Sequence, residues 1–279
     1  MRILITGSSS GLGRAIATDL LARGHEVWGW ARSDQSGFAV GHGSRFRHAS
    51  VDVSAWDAVQ TAAGVVAAEW NSLDALICAA GTLGEVAPAL AADPQRWSET
   101  VAANLDGTYH PVRALHALVQ AAPRRGKILC FSGGGATQAR PNFSAYGVAK
   151  TAVVRLVETI AAENPDAGFD INAVAPGAIA TPMLDEVIAL GPERAGSADY
   201  AAALRAKAAG QAPADRALAL VRWLLSPESD GITGRLLSAP WDPWSTLGNH
   251  VAAVAESDCF TLRRITPADR DRDWGAPPA

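Results

Sequence analysis

The chain has 279 residues, 48% of them hydrophobic and 19% charged, which suits a globular protein with a substantial buried core. Its formal net charge of −4 and the lack of any basic run argue against nucleic acid or an anionic membrane as a partner. Three scattered cysteines exclude a disulfide framework and a metal cluster, and the N-terminus carries neither a secretory pattern nor a membrane-length apolar run, so we expect a cytoplasmic protein without a metal.

The chain opens with a short apolar run at Ile3, a glycine-rich turn at residues 6–13 and a helix predicted over residues 12–22. Glycines in such a turn allow tight bending and let backbone amides approach a pyrophosphate at the helix N-terminus. They are Gly7, Gly11 and Gly13. Their spacing differs from the G-x-G-x-x-G fingerprint, and an ordinary strand-to-helix turn is the alternative. We predict dinucleotide binding.

The second strand is predicted over residues 26–32 and ends in Ala31-Arg32. An acidic residue at this tip would accept a bond from the ribose 2′-hydroxyl of NAD, whereas a guanidinium suits a 2′-phosphate. The sequence therefore favours NADP over NAD, with a solvated surface arginine as the alternative. Residues 37–43 are predicted to form a polar, glycine-rich loop.

The third strand, residues 47–53, carries Asp52 at its end, where it can bond the adenine edge. A helix at residues 56–69 leads to a fourth strand, whose small-residue turn ends at Gly81 and lets the backbone lie along the cofactor ribose. A long helical pattern follows and contains Asn104.

Strands continue to alternate with helices through the rest of the chain. Further strands are predicted at residues 127–132, 170–177 and 234–238, with helices at residues 144–163 and 214–225. This alternation predicts an α/β fold: one parallel, doubly wound Rossmann-type sheet between two helical layers. We expect one domain at residues 1–238 and a C-terminal extension, residues 239–279, that packs on it or on a neighbouring subunit.

Tyr146 and Lys150 lie four residues apart, so on a helix their side chains share one face. A phenol has an unperturbed pKa of about 10 and is a poor acid or base at neutral pH. A nearby ammonium favours the phenolate and lowers the pKa towards the working range. The pair is a candidate acid/base unit for a carbonyl or an alcohol.

Together these stretches resemble the short-chain dehydrogenase/reductase family over residues 2–238. The motifs that carry the resemblance are Thr6-Gly-x3-Gly-x-Gly13, Asp52-Val53, Ala79-Ala-Gly81, Asn104, Tyr146-x3-Lys150, Pro176-Gly177 and Thr181. The resemblance implies hydride transfer between a nicotinamide and a small-molecule ketone or secondary alcohol.

The resemblance also implies roles for individual residues. Tyr146 would exchange the proton with the substrate oxygen, and Lys150 would hold the nicotinamide ribose and lower the tyrosine pKa. Asn104 would kink its helix and hold a water that links Lys150 to solvent. Cofactor contacts are expected from Gly7, Ser9, Ser10, Gly11, Leu12, Arg32, Asp52, Val53, Ala79, Ala80, Gly81, Tyr146, Lys150, Pro176, Gly177, Ile179 and Thr181.

One departure concerns the catalytic serine of the family, thirteen residues before the tyrosine, where this chain has Gly133. Ser132 precedes it and would face the other side of a regular strand, unless the flexible glycines let it swing in. Otherwise Thr137, a backbone amide or a substrate group must replace it. An epimerase or dehydratase that regenerates its cofactor and a catalytically silent nucleotide-binding protein remain alternatives.

Two further expectations concern assembly and the extension. The resemblance implies a homo-dimer or homo-tetramer through the helices at residues 97–120 and 144–163. The apolar face expected in that contact consists of Val153, Leu156, Val157 and Ile160. Trp241 and Trp244, in a proline-braced segment after the last strand, would either wall the active site or fill a surface groove or subunit contact.

Overall fold

Residues 1–275, which the computed structural model describes, form one sheet of seven parallel strands. The strands are β1 (Arg2–Thr6), β2 (Glu26–Ala31), β3 (Phe46–Ser50), β4 (Ala75–Cys78), β5 (Gly126–Phe131), β6 (Phe169–Ala175) and β7 (Leu236–Ser238). Their spatial order is β3-β2-β1-β4-β5-β6-β7. Strands are added to one side of β1 up to β3 and to its other side from β4 onwards, so the strand order reverses between β1 and β4. In open α/β sheets, the carboxyl ends of the strands at such a point form a ligand-binding crevice.

Helices cover both faces of this sheet. They are α1 (Gly11–Ala22), α2 (Ser36–His42), α3 (Trp56–Glu69), α4 (Pro94–Val101), α5 (Gly107–Gln120), α6 (Ser144–Glu163), α7 (Pro182–Ala195), α8 (Ser197–Ala208), α9 (Ala212–Leu224) and α10 (Val251–Ala255). Because strand side chains alternate, Ile3 and Ile5 pack in the core beside α1 and α9, while Leu4 packs beside α3, α5 and α6. The three-layer, doubly wound prediction is confirmed.

The prediction of a loop at residues 37–43 is wrong, because α2 covers all of these residues except the last. The reason is tertiary: the Phe38 ring packs edge-on against Phe46, at 4.8 Å between centroids, and against His42 one turn further on. The guanidinium carbon of Arg14 also lies 3.8 Å from the Phe38 ring centroid. These contacts hold a short helix that its glycines disfavour.

The described part of the C-terminal extension runs back along the exposed edge of β7. The backbone N–H of Leu236 donates to the carbonyl of Phe260 at 2.8 Å. The largely buried Arg235 donates through Nη1 to the carbonyls of Ser257 and Cys259, at 2.9 and 3.0 Å. Leu262 N–H then donates to the carboxylate of Glu158 on α6, at 2.6 Å. The last four residues of the predicted extension, 276–279, lie outside the described residues. Within residues 1–275, no helix has both the length and the apolar character needed to cross a membrane.

The two tryptophans of the extension occupy different environments. Trp244 packs against the core, with its indole Nε1 donating to the carbonyl of Ala239 at 3.2 Å and its ring centroid 6.0 Å from that of Trp223. The side chain of Trp241 is 84% exposed. Trp244 therefore packs on the core of its own chain, whereas Trp241 is largely exposed.

We expect Trp244→Ala to lower the free energy of unfolding by about 2–3 kcal/mol, because it removes a large, partly buried ring. Trp241→Ala is the matched control and should leave the value within about 0.5 kcal/mol of wild type, as surface changes usually do. Urea unfolding followed by circular dichroism measures both. Equal losses in the two variants would show that Trp241 also carries structural packing.

Candidate active site

The glycine-rich turn after β1 leaves no room for side chains at two positions. Gly7 has φ +70°, and a Cβ there would lie 2.7 Å from the Cα and N of Ala80. A Cβ on Gly13 would lie 2.3 Å from the carbonyl oxygen of Gly7. The Thr6 hydroxyl accepts from the Ala80 N–H at 3.1 Å. The turns after β1 and β4 are therefore in direct backbone contact, which only glycine at these two positions allows.

The side chain of Arg14 stabilises this turn through hydrogen bonds to its backbone, and no sequence pattern predicts this role. Its Nε donates to the carbonyl of Ser8 at 2.8 Å and its Nη2 to that of Ser9 at 3.2 Å. The buried Ser8 hydroxyl donates to Oε1 of the buried Gln35, at 2.8 Å, which ties the turn to the loop after β2. An arginine early in a helix usually indicates a solvated position, so this contact could be found only from the fold.

A cavity of about 320 Å³ opens at the carboxyl ends of β1 to β4. Its volume lies at the lower end of the range for small-molecule sites. Among the residues predicted to contact a cofactor, those that line it are Gly7, Arg32, Asp52, Val53, Ala80 and Gly81. Further lining residues are Trp30, Ala31, Val51, Ser54, Thr82, Glu99, Ala102 and Ala103. The structure thus gathers predicted residues from the ends of four strands around one cavity.

The other predicted cofactor residues lie beside this cavity along the same edge. Ser9 and Ser10 belong to the glycine-rich turn, and Gly11 and Leu12 open α1. A Cβ on Gly11 would lie 3.7 Å from Cβ of Thr181, so the turn and the start of α7 are neighbours. The carbonyl of Ala79 faces Gly7. Pro176, Gly177 and the buried Ile179 follow β6.

Arg32 and Asp52 are two residues of opposite charge that line the cavity. Both are exposed, and the Arg32 carbonyl accepts from the Ser50 hydroxyl at 3.2 Å. The Asp52 carboxylate accepts from the hydroxyl and the N–H of Ser54, at 2.6 and 3.0 Å. The Ser54 hydroxyl lowers the pKa of Asp52 most, and its N–H and the charge of Arg32 add to this against partial burial. Asp52 is therefore an ionised acceptor beside an arginine at neutral pH.

Tyr146 and Lys150 are both buried on one face of α6. Lys150 Nζ donates to the carbonyl of Phe131, at the end of β5, at 3.0 Å. It lies 5.7 Å from the centroid of the Tyr146 ring. The helix and the strand end thus fix both groups at the carboxyl edge of the sheet.

Asn104 lies in a π-helical segment, Ala102–Asp106, that joins α4 to α5. Such segments mark local distortions and occur often at functional sites. Its Nδ2 donates to the carbonyls of Thr82 and Thr100, at 2.9 and 2.8 Å, while its buried Oδ1 has no partner among residues 1–275. A Cβ on Gly81 would lie 2.7 Å from this Oδ1 and 3.4 Å from Lys150 Nζ. The unpaired acceptor and the ammonium therefore face the same small space.

The expected lowering of the Tyr146 pKa by Lys150 is not found. Burial raises the pKa of Tyr146, and the charge of Arg140 is what opposes this rise. Burial also lowers the pKa of Lys150 to about 8. The cause is that Lys150 donates to a backbone carbonyl and not to the phenol, so removal from water dominates both groups.

Gly133 lies directly against the tyrosine hydroxyl. A Cβ at this position would lie 2.4 Å from the Tyr146 Oη, so the phenol occupies the space that a side chain there would need. The buried Ser132 hydroxyl donates instead to the carbonyl of Lys150, at 3.4 Å. Thr137 is exposed. Ser132 therefore faces away from the tyrosine hydroxyl. This is the orientation that the alternation of side chains along a strand predicts.

Arg140 is a neighbour of Tyr146 that no sequence pattern indicated. Its guanidinium carbon lies 3.7 Å from the Phe143 ring centroid and 5.9 Å from that of Tyr146. Its Nε donates to the carboxylate of Asp199 on α8, at 2.7 Å. Asn142, at φ 69°, donates to the carbonyl of Arg194 on α7, at 3.1 Å. The loop before α6 is thereby tied to the α7–α8 segment.

A nicotinamide dinucleotide fits the residues of this edge. The glycine turn leads into the N-terminus of α1, where a pyrophosphate would lie, and the unpaired Oδ1 of Asn104 together with Lys150 Nζ offers partners close to the tyrosine. Within residues 1–275 no group of histidine, cysteine or acidic side chains could hold a metal ion. Fold and site together define a dinucleotide-dependent α/β enzyme.

Comparison with known proteins identifies the family. The family model described as enoyl-(acyl carrier protein) reductase matches residues 7–239. The short-chain reductase protein NovJ of Streptomyces niveus is 31% identical over 239 residues, covering 83% of this chain and 89% of that protein. The 3-oxoacyl-(acyl-carrier-protein) reductase FabG of Escherichia coli strain K12 is 28% identical over 239 residues, with coverages of 84% and 93%. The crystal structure of levodione reductase has a TM-score of 0.74 at 25% identity, covering 90% of this chain and 98% of that one.

The chain belongs to the short-chain dehydrogenase/reductase family. It is an NAD(P)-dependent oxidoreductase that acts on CH–OH or C=O groups.

Proposed function

We propose that this protein is an NADP-dependent reductase of a small-molecule ketone, with Tyr146 as the acid that protonates the substrate oxygen. The observation that carries this proposal is the buried Tyr146–Lys150 pair close to Gly81, which lines the same cavity as the exposed Arg32. The carboxyl edge of the sheet joins the two features, so a single extended ligand can contact both.

The reaction combines hydride delivery with protonation of the substrate oxygen. The bound nicotinamide cofactor supplies the hydride. Tyr146 donates its proton to the oxygen of the carbonyl, which becomes a hydroxyl. Lys150, with a pKa lowered to about 8, is suited to return a proton to the tyrosine through groups in the space that it shares with Asn104. In the reverse direction the same groups accept the proton of an alcohol.

The preference for NADP rests on Arg32. Arg32 lines the cavity and is exposed, so that its guanidinium can pair with a 2′-phosphate, and the Asp52 carboxylate can bond the adenine edge. We expect Arg32→Asp to shift the ratio of kcat/KM for NADPH over NADH towards NADH by about 10–100-fold, since a charge-assisted contact is worth about 1.5–3 kcal/mol. Arg113→Asp, an exposed position on α5, is the control. An unchanged ratio would mean that Arg32 contacts only solvent.

A turnover screen tests the proposed reaction. The names of the relatives suggest two probes: acetoacetyl N-acetylcysteamine as a 3-oxoacyl thioester, and levodione as a cyclic diketone. We expect loss of NADPH absorbance with at least one ketone and recovery of the matching alcohol. Interconversion of a substrate without net consumption of NADPH would favour the epimerase or dehydratase alternative. NADPH binding with no conversion of any carbonyl or alcohol would favour the silent alternative.

We further propose a homo-oligomer, a dimer or tetramer, in a reducing, cytoplasmic compartment. The compartment is supported by Cys78 and Cys130, which are buried free thiols. The helix face suggested for the contact needs correction, because Val153 and Val157 are buried in the core of their own chain. Leu156 remains partly exposed. Light scattering at micromolar concentration tests the assembly, and a monomer would exclude it.

A further inference from the structure

A guanidinium lies next to the position where this chain lacks the serine of its family. A Cβ on Gly134 would lie 3.6 Å from Nη1 of Arg140, while a Cβ on the preceding residue, Gly133, would meet the Tyr146 hydroxyl at 2.4 Å. The two glycines therefore have the arginine and the phenol as their respective neighbours. Arg140 and Tyr146 therefore lie against neighbouring residues of one loop, with the guanidinium carbon 5.9 Å from the centroid of the Tyr146 ring.

The arginine is held so that its outer nitrogens stay available. Its Nε is bound to Asp199 at 2.7 Å, and its plane packs over the Phe143 ring at 3.7 Å. Neither Nη1 nor Nη2 donates to any group within residues 1–275. The side chain is 19% exposed, so it is largely withdrawn from water. A preoriented donor of this kind loses little entropy when it binds an oxygen.

The other candidates for this donor are engaged or distant. The Ser132 hydroxyl donates to the carbonyl of Lys150, and Lys150 Nζ donates to the carbonyl of Phe131. Thr137 is exposed. The charge of Arg140 also opposes the rise that burial causes in the pKa of Tyr146, in agreement with the short distance between the two side chains. The charged side chains near the phenol are Arg140 and Lys150, and Asp199 pairs with Arg140.

We propose that Arg140 supplies the hydrogen-bond donor to the substrate oxygen that Gly133 cannot supply. One Nη group binds the carbonyl oxygen together with the Tyr146 hydroxyl. When the hydride adds to the carbonyl carbon, the oxygen takes its proton from Tyr146, and Arg140 keeps its own protons while stabilising the developing negative charge. Asp199 is a positioning residue that orients the guanidinium. This inference rests on the proposed ketone reduction.

The first experiment compares Arg140→Gln, Ser132→Ala and the control Arg205→Gln, an exposed arginine on α8. The probe is whichever of acetoacetyl N-acetylcysteamine or levodione the wild-type enzyme reduces. We expect Arg140→Gln to lower kcat by about 10²–10³, as loss of one such donor does, with NADPH affinity unchanged. Ser132→Ala and Arg205→Gln should stay within about threefold of wild type, because neither hydroxyl nor guanidinium reaches the reacting oxygen. A loss in Ser132→Ala with normal turnover in Arg140→Gln would overturn the proposal.

A merely structural tie between the loop and α8 makes a different prediction. In that case Asp199→Asn would lower kcat as much as Arg140→Gln, and the double variant would be no worse than either. We expect the loss in Asp199→Asn to be at least tenfold smaller than in Arg140→Gln, because the donor itself remains. Guanidinium chloride at millimolar concentration should restore part of the kcat of Arg140→Ala and none of that of Tyr146→Phe. Equal losses, or no rescue in a folded Arg140→Ala variant, would contradict the assignment.

A titration that needs no substrate covers the case in which the wild type reduces neither probe. Absorbance of tyrosinate, taken as the difference between each protein and its Tyr146→Phe counterpart, reports the ionisation of Tyr146. Removing the positive charge should raise the pKa of Tyr146 in Arg140→Gln above that in wild type. An unchanged titration would overturn the proposed proximity. A raised pKa in a protein that reduces no ketone would mean that the proposed function has failed, and the donor role with it.

Discussion

Tyr146→Phe is expected to reduce turnover of any accepted ketone by about 10²–10⁴ or more, since it removes only the group that exchanges the proton. The ring remains, so the packing against Gly133 and the affinity for NADPH should change little. Steady-state kinetics and fluorescence titration of NADPH measure the two quantities separately. The effect should appear in kcat, because the proton moves only in the transition state.

The matched control is Tyr109→Phe, which changes a tyrosine that is 42% exposed on α5. Its kcat and its NADPH affinity should equal those of wild type. Turnover of the Tyr146→Phe variant within about tenfold of wild type would exclude Tyr146 as the acid, given the usual size of acid/base contributions. Loss of NADPH binding in that variant would mean that the phenol also supports the cofactor site.

Gly13→Ala should cause the largest loss of stability among single methyl additions to the glycine-rich turn. The added Cβ would lie 2.3 Å from the carbonyl oxygen of Gly7 and 3.3 Å from the N of Ser8, both backbone atoms that cannot rotate away. We expect a decrease of about 3 kcal/mol in the free energy of unfolding, together with loss of NADPH binding, because the turn must open to admit the methyl group. Urea unfolding and NADPH titration check both.

Gly64→Ala is the control, and we expect it to change the free energy of unfolding in the opposite direction. Gly64 lies inside α3, and a Cβ there meets nothing within 4 Å. Replacing an exposed helical glycine by alanine should raise the free energy of unfolding by about 1 kcal/mol. If Gly13→Ala behaved like Gly64→Ala and retained NADPH binding, the close contact between the start of α1 and the turn would be refuted.

The sheet could be predicted from the sequence because buried parallel strands are continuous apolar runs. The strands β4 and β5 are fully buried, and the strand predicted at residues 127–132 agrees with β5 to within one residue at each end. The short helix α2 could not be predicted from the sequence, because its glycines favour a loop. The packing of Phe38 against Phe46 reverses that preference. The helix propensity of a segment therefore predicts its structure only where tertiary contacts do not outweigh that propensity.

The active site was predictable to the extent that it follows from spacing along regular elements. The four-residue separation of Tyr146 and Lys150 placed them on one face of α6, and strand alternation placed Ser132 away from the tyrosine. The raised pKa of Tyr146 depends on burial, which spacing does not reveal. The position of Arg140 depends on an irregular loop and on Asp199, which lies 59 residues further along the chain, so no local pattern could indicate it.

Hydride transfer from NADPH to a substrate carbon is the central claim, and isotope transfer measures it directly. NADPH carrying deuterium at both positions of nicotinamide C4 is incubated with the wild-type protein and the accepted ketone, and the alcohol is analysed by mass spectrometry. We predict one deuterium on the former carbonyl carbon for each NADPH oxidised, and at least about a hundredfold less labelled alcohol with Tyr146→Phe over the same time. NADPH oxidation that leaves the product free of deuterium, or deuterium transfer at an equal rate in Tyr146→Phe, would contradict the account.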